Sequence, residues 1–145
     1  MTSNAEGASQ RGWEMKRNEA ESAVGLMSRP TPAILYARVS SREQEREGYS
    51  IESQLKLLRN YAGEHNIQIT EEIVDVETAK TSGRTGFGRM VSRLREEGIS
   101  QGFGTSCRTV LVEKTDRLYR NLKDWVTIDE LDVEVHFVKE NTVLT

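Results

Sequence analysis

The chain has 145 residues, which suits one domain with a single hydrophobic core. Its net charge of -3 is ordinary, and no apolar run approaches the roughly 18 residues of a membrane span or forms the core of a secretory signal. The single cysteine, Cys107, excludes an internal disulfide and a cysteine-based zinc site, so we expect a reduced, cytoplasmic protein without a membrane partner.

The first 32 residues differ in character from the rest of the chain. They are polar, show no sustained hydrophobic period and end at the sequence Pro30-Thr31-Pro32. This composition is typical of a mostly disordered leader, in which only the stretch from Trp13 to Met27 could form a loose helix. We therefore predict a leader over residues 1–32 and a folded domain over residues 33–145.

Four strands are predicted after this leader. Three of them are Ala33–Val39, Ile67–Val76 and Thr109–Val112. The first and the third are short apolar runs, which are typical of strands buried on both faces. In the fourth strand, Val133, Val135 and Phe137 alternate with polar residues, which indicates a half-buried strand.

Apolar residues at helical spacing predict a helix between each pair of strands. The helices begin at Ser50, near Phe87 and near Leu122, and the last two end near Gly98 and Leu131. The last helix should bury Trp125 and Val126. The predicted loops are Ser40–Gly48, Thr78–Thr85 and Gly98–Ser106. Strands that alternate with helices predict an α/β fold, a three-layer α/β/α domain on a mostly parallel sheet of four to five strands.

In sheets of this kind, functional groups collect just beyond the carboxyl ends of the strands. Seven polar residues of this sequence lie at such ends or in the loop that follows. They are Arg38, Ser40, Asp75, Arg84, Asp116, Arg117 and Arg120. The set offers one hydroxyl group, four guanidinium groups and two carboxylates, and it contains no histidine.

These side chains favour phosphoryl transfer to a serine over acyl transfer. Serine enzymes that transfer acyl groups generally need an adjacent base, and neither His65 nor His136 is predicted near Ser40. Converging arginines instead bind the non-bridging oxygens of a phosphate and stabilise the charge of its transition state. They can do so without a metal ion, so we expect none.

Charge is distributed unevenly along the chain. Residues 33–79 hold 5 basic and 9 acidic side chains, residues 80–123 hold 10 and 4, and residues 124–145 hold 1 and 6. A compact basic region inside an acidic chain suits a localised site for a polyanion. A solvated basic helix face would give the same counts, so charge alone leaves both interpretations open.

A nucleotide cofactor is not expected. Rossmann and P-loop sites need a glycine-rich turn after the first strand, where the backbone approaches the phosphates closely. Here that turn begins at Val39 and reaches its first glycine only at Gly48. The Gly102-Phe103-Gly104 segment lies away from any predicted strand end, and we interpret it as a flexible connection.

Three segments resemble the motifs of the resolvase/invertase family of serine recombinases. The first is Tyr36–Ser41, followed closely by Glu43-Gln44. The second is Asp75, with Arg84 nine residues after it and Thr85-Gly86-Phe87 directly after Arg84. The third is Glu113–Arg120. Their order and spacing agree with the family over roughly Ala33 to Val143. The Gly48–Gln54 segment looks more like the large serine integrases of phages and mobile elements than like the small resolvases.

The resemblance implies a site-specific DNA recombinase without a metal or nucleotide cofactor. Ser40 would attack the scissile phosphodiester, forming a 5′-phosphoserine link and freeing a 3′ hydroxyl group. The phosphate would be held by four arginines, Arg38, Arg84, Arg117 and Arg120. Asp116 would orient these arginines or handle the leaving-group proton. Gln54 would position Ser40 and Asp75 would order the loop after it, although both also fit purely structural roles.

The resemblance also implies a homo-oligomer, a dimer or tetramer, in the full-length protein. In the family this fold is followed by a long helix that forms the dimer and contacts DNA, and then by a DNA-binding region. The sequence ends at Thr145 before either, so we expect one domain of a larger protein, or a truncated relative, that is inactive alone.

Two other functions stay open. One is a non-catalytic module that only associates with a recombinase or with DNA, since intact motifs do not demonstrate activity. The other is a phosphate-binding signalling domain of the flavodoxin-like class. Such receivers cluster carboxylates at the strand ends, where this chain gathers arginines, so this second alternative is disfavoured.

Overall fold

The computed structural model describes residues 29–47, 50–80, 84–99 and 106–145. Most of the predicted leader lies outside these ranges, as do parts of the two later predicted loops and the Gly48-Tyr49 pair of the integrase-like segment. No helix within the described ranges is long and apolar enough to cross a membrane.

Five strands and five α-helices lie within these ranges. The strands are β1 (Thr31–Ser40), β2 (Ile67–Glu77), β3 (Thr109–Val112), β4 (Glu134–Phe137) and β5 (Thr142–Leu144). The helices are α1 (Ser41–Glu47), α2 (Ser50–Glu64), α3 (Thr85–Ile99), α4 (Thr115–Leu118) and α5 (Leu122–Glu130), with one 3-10 turn at Val138–Glu140. The four predicted strands and three predicted helices are confirmed, with small shifts at their ends.

The strands form one sheet in the order β2-β1-β3-β4-β5. The first four strands are parallel, and β5 is antiparallel to β4. The predicted mostly parallel sheet is therefore confirmed, with five strands. β5 has no counterpart among the predicted strands, because its three residues are all exposed and give no alternation of apolar and polar positions.

Helices cover both faces of this sheet. On one face, Ile34 and Tyr36 of β1 pack with apolar residues of α3, α4 and α5, such as Met90. On the other face, Leu35 of β1 packs with Leu58 of α2. Because the centre of β1 is buried on both sides, Ala33–Ala37 form a continuous apolar run. The predicted three-layer α/β/α architecture is confirmed.

The segment after β1 is a helix, so the prediction of a loop over Ser40–Gly48 is wrong for most of its length. The Ser40 hydroxyl oxygen accepts a hydrogen bond from the Glu43 backbone N–H at 3.1 Å, and the Glu43 carboxylate accepts one from the Ser40 backbone N–H at 3.0 Å. This reciprocal capping box satisfies two backbone donors at the start of α1. The seven residues of α1 are polar throughout and give no apolar stripe from which the helix could be predicted.

Helix α5 is confirmed, but the prediction that it buries Trp125 and Val126 is wrong. These side chains are 42% and 40% exposed, whereas Ile128 is almost fully buried. Ile128 and Leu131 lie three residues apart on one face and pack into the core. Val126 points away from that core because positions two residues apart lie on nearly opposite sides of a helix.

Candidate active site

The predicted site residues lie at the carboxyl ends of β1 and β2 and just after β3. The chain passes from β1 to β2 on one side and then to β3 on the other, so β1 is the point where the strand order reverses. Ligands of open α/β sheets bind at such points. The parallel register places Arg38 beside Asp75 and Ser40 beside Glu77. Paired residues project to the same face of a sheet, so Ser40 and Glu77 are neighbours.

One carboxylate links Ser40 to Arg117. Glu43 Oε2 accepts hydrogen bonds from the Ser40 backbone N at 3.0 Å and from Arg117 Nη1 at 2.8 Å. Burial by itself would raise the pKa of Glu43, but these two hydrogen bonds outweigh it and lower the pKa. Glu43 is therefore ionised at neutral pH and holds the serine and the guanidinium group in a fixed relation.

Arg117 retains an unused donor. Its side chain is only 12% exposed, and its Nε atom is buried without a hydrogen-bond partner among the described residues. Glu113 Oε1 lies 3.6 Å from this atom, which is too far for a hydrogen bond. A buried N–H without an acceptor is costly to the fold.

Arg38 is held at both its backbone and its side chain. Its backbone N–H donates to Gln54 Oε1 at 3.2 Å, and its carbonyl oxygen accepts from Gln54 Nε2 at 3.1 Å. Its Nε atom donates to the Arg117 carbonyl oxygen at 3.2 Å, and its Nη2 atom donates to the Asp116 carbonyl oxygen. Gln54 is fully buried and holds the strand two residues before Ser40, so its predicted effect on Ser40 would pass through the Arg38 backbone.

Glu77 bridges Arg38 and Arg120. Its Oε2 atom lies 3.3 Å from Arg38 Nη1, and its Oε1 atom lies 2.7 Å from Arg120 Nη2. Burial lowers the pKa of Arg38, yet an arginine in a protein remains charged, so the contact is an ion pair. Two guanidinium groups thus converge on the two oxygens of one carboxylate, next to Ser40.

Asp75 lies in an adjacent buried cluster and caps α3. Its Oδ1 atom accepts from the Gly86 backbone N at 2.8 Å, and its Oδ2 atom accepts from the Phe87 backbone N at 2.9 Å and from the Tyr36 hydroxyl at 2.6 Å. Burial raises the pKa of Tyr36, and the hydrogen bond to Asp75 adds to this, so the hydroxyl stays protonated and donates. Asp75 therefore fixes the point at which the loop after β2 becomes α3.

Arg84 turns into the same cluster. Its Nη1 atom donates to the Tyr36 hydroxyl at 3.2 Å, and its Nη2 atom donates to the Leu118 carbonyl oxygen at 3.3 Å and to Asp124 Oδ2 at 2.7 Å. Its guanidinium group lies 4.0 Å from the centroid of the Phe87 ring. These contacts hold the Arg84 guanidinium group in the cluster around Asp75, so its role as a phosphate ligand stays a prediction.

Asp116 lies in α4, at the rim of the site. Its side chain is exposed, and its backbone carbonyl oxygen is the group that holds Arg38. The short helix α4 was not predicted, because a single turn of four residues carries no periodicity. Whether the Asp116 carboxylate handles a proton therefore stays a prediction, while its backbone helps to position an arginine.

The structure brings four of the predicted residues together, Ser40, Arg38, Arg117 and Arg120, with Gln54 beneath them. Sequence reasoning missed four partners of the predicted site residues, Tyr36, Glu43, Glu77 and Asp124. Glu43 had a signal, since it lies three residues after Ser40 at the spacing of a capping box. Glu77 also had one, since it lies two residues beyond Asp75 and on the same face of β2.

The chemistry available here is the binding of a tetrahedral anion beside a serine hydroxyl. Three guanidinium groups supply donors in planar pairs, which match the geometry of phosphate oxygens. Among the residues that the structure describes, no group of three or more His, Cys, Asp or Glu side chains is placed to hold a metal ion. The guanidinium groups of Arg38, Arg117 and Arg120 can supply charge stabilisation for a phosphate beside Ser40.

Comparison with known proteins gives a consistent result. The model of the family described as "Resolvase, N terminal domain" matches residues 33–145, a range that includes Ser40 and every predicted site residue. No curated protein matches the chain in sequence. A resolvase family site-specific recombinase from Streptococcus pneumoniae is 26% identical, with a TM-score of 0.62 over 78% of this chain and 75% of that chain.

Two further solved structures share the fold. The N-terminal catalytic domain of TP901-1 integrase is 23% identical, with a TM-score of 0.61 over 78% of this chain and 82% of that chain. The C-terminal catalytic domain of ISC1926 TnpA, an IS607-like serine recombinase, is 24% identical, with a TM-score of 0.57 over 74% of this chain and 67% of that chain. At these identities, the two likenesses support the fold alone.

Proposed function

Because the chain belongs to the resolvase family of serine recombinases, we propose that residues 33–145 form a catalytic domain that cuts and rejoins DNA strands through Ser40. One observation carries the proposal. Ser40 shares the Glu43 carboxylate with Arg117 and lies beside the Glu77 carboxylate that Arg38 and Arg120 contact. A serine among guanidinium groups is suited to attack on a phosphate.

In the proposed reaction, Ser40 Oγ attacks the phosphorus atom of the scissile phosphodiester. A bond forms between phosphorus and Oγ, the bond from phosphorus to the 3′ oxygen of the neighbouring nucleotide breaks, and the serine proton passes to that oxygen through solvent or through Asp116. The product is a 5′-phosphoserine link and a free 3′ hydroxyl group. Attack by a 3′ hydroxyl group of another strand then restores a phosphodiester and releases Ser40, so no nucleotide is consumed.

The proposed roles follow from the contacts. Arg38, Arg117 and Arg120 would bind the non-bridging oxygens and stabilise the charge of the transition state. Gln54 would act as a positioning residue, because it holds the Arg38 backbone and not the substrate. Asp75 would set the start of α3 from the adjacent cluster, and Arg84, in that cluster, would be the fourth phosphate ligand.

We extend the proposal to the assembly. Exchange between two duplexes requires four strands to be cut, and each copy of the domain supplies one Ser40, so four copies are needed. DNA is the proposed partner and the cytoplasm the proposed location. Because the Gly48–Gln54 segment resembles the large serine integrases in sequence, we propose that the protein belongs to that group.

The test of the proposed function is a covalent adduct at Ser40. Residues 33–145 would be joined to the long helix and DNA-binding region of a serine recombinase whose target site is known, and DNA carrying that site would be added. The protein with Ser40 should yield a protein–DNA adduct that survives denaturing electrophoresis, and so should Ser41→Ala, whereas Ser40→Ala should yield none.

The same experiment separates the rival function. A non-catalytic module would bind the DNA through the joined region but form no adduct with any variant. An adduct that persists in Ser40→Ala would show that another residue is the nucleophile.

A further inference from the structure

The contact of Glu77 with Arg38 and Arg120 resembles the contact that a bound phosphodiester would make with these two arginines. A carboxylate and a phosphodiester are both monoanions with two equivalent terminal oxygens. In the structure each oxygen of Glu77 receives one guanidinium group, Arg38 Nη1 at 3.3 Å and Arg120 Nη2 at 2.7 Å. Arginine binds carboxylates and phosphates with the same planar arrangement of donors.

The position of this carboxylate matches that of the reacting group. Glu77 is the register partner of Ser40, so its side chain leaves the sheet directly beside the serine and on the same face. Its side chain is 27% exposed, against 12% for Arg38 and 33% for Arg120, so the pair opens to solvent on the Arg120 side. An anion from solution that takes these two donors must replace the Glu77 carboxylate.

We propose that Glu77 is an internal competitor for the phosphodiester, a carboxylate that occupies the Arg38–Arg120 pair until the scissile phosphate displaces it. This inference rests on the proposed function of the site and adds how phosphate binding at the site is regulated. In free protein the single charge of Glu77 offsets part of the positive charge of Arg38 and Arg120, so that a stray phosphate binds weakly. Displacement also frees the Glu77 carboxylate to turn toward solvent, since Glu77 is the last residue of β2 and its side chain is 27% exposed.

The experiment measures anion binding by the chain as it stands, so it does not depend on catalysis. Dimethyl phosphate, a phosphodiester monoanion, is titrated into the 145-residue protein, and binding is followed by NMR at the Nε–H groups of Arg38 and Arg120. Glu77→Gln should bind the probe about tenfold more tightly than the original protein, because the competing contact is a pair of charge-assisted hydrogen bonds.

Glu72→Gln is the matched control. It removes the same charge from the same strand, but its partner is the exposed Arg59, with which it forms hydrogen bonds of 2.6 and 2.7 Å. It should leave the affinity at Arg38 and Arg120 unchanged. Glu77→Ala serves as a second variant should Glu77→Gln be poorly folded, and it should tighten binding in the same direction.

Each outcome decides the inference. Tighter binding in the Glu77 variants alone supports it. Unchanged or weaker binding would overturn it, weaker binding meaning that Glu77 positions the arginines for the substrate. Equal tightening in Glu72→Gln would also overturn it, since net charge would then be the cause. The proposed function has its own test in the Ser40 adduct, so either idea can fail while the other stands.

Discussion

At the scale of single residues, the site is built from shared carboxylates. Glu43 serves Ser40 and Arg117, and Glu77 serves Arg38 and Arg120. Each guanidinium group therefore has a defined orientation before any substrate arrives. Pre-set donors are what electrostatic stabilisation of a transition state requires, because they need no reorganisation during the reaction.

Arg120 offers the clearest test of this geometry, because Arg38 also holds backbone carbonyl groups. Arg120→Ala should slow adduct formation by about 100- to 1000-fold, as is typical for the loss of one such donor. Arg120→Lys should remain impaired, because an ammonium group cannot make the planar two-point contact. Single-turnover measurement of the adduct in the joined recombinase gives these rates.

The control for Arg120→Ala is Arg59→Ala. It removes an exposed guanidinium group of α2 that forms an ion pair with Glu72 of β2. It should leave the rate unchanged. Near-normal rates with Arg120→Lys would contradict the geometric argument and would mean that Arg120 acts only as a point charge. Urea unfolding of each variant should give similar stabilities, because exposed ion pairs contribute little.

At the scale of elements, the start of α3 depends on close approach to β2. A Cβ atom at Gly86 would lie 2.6 Å from Asp75 Oδ1 and 2.6 Å from Ile73 Cγ2. A Cβ atom at Gly88, two residues later in the same helix, would meet nothing within 4 Å. The two glycines therefore differ in packing but share a helical context.

Gly86→Ala should destabilise the domain by about 1–3 kcal/mol, the usual cost of an overpacked core. Gly88→Ala should stabilise it by up to about 1 kcal/mol, because alanine is the better helix former. Urea unfolding monitored by circular dichroism measures both. Equal effects would show that α3 shifts away from β2 to make room, and that the Asp75 cap is not tightly constrained.

At the scale of the whole molecule, the arginines of the site do not make a general DNA-binding surface. The chain carries a net charge of -3, and Arg38, Arg117 and Arg120 each contact a carboxylate. Affinity for DNA without sequence preference grows with the number of phosphates that a protein neutralises. Reading base sequence also requires an element that enters a groove, and no described helix or strand is an evident candidate.

We therefore predict that residues 1–145 bind duplex DNA weakly, without sequence preference, and leave it uncut. Fluorescence anisotropy at physiological salt, with DNA duplexes of different sequence, measures this. Because few phosphates are neutralised, the affinity should also depend only weakly on salt concentration. Tight binding to one sequence would contradict the prediction and would point first to residues 1–32 as the DNA-reading element.

The sequence by itself determined the layers of the fold and the position of the site along the chain. Strands buried on both faces are apolar along their buried stretch, as Ala33–Ala37 in β1 and Val110–Val112 in β3 are, and this marks a parallel sheet covered by helices. In such a sheet the carboxyl ends of the strands meet at one edge, so Arg38, Ser40 and Arg117 could be assigned to one site without coordinates.

Only the tertiary structure decided how the charges in that site are paired. Glu77 meets Arg120 across 43 positions of sequence, and Glu43 meets Arg117 across 74, so no local pattern could reveal either contact. The exposure of Trp125 was likewise decided by which face of α5 the sheet covers. Local propensity and periodicity act over a few residues, whereas contacts between side chains from different strands depend on strand order and register.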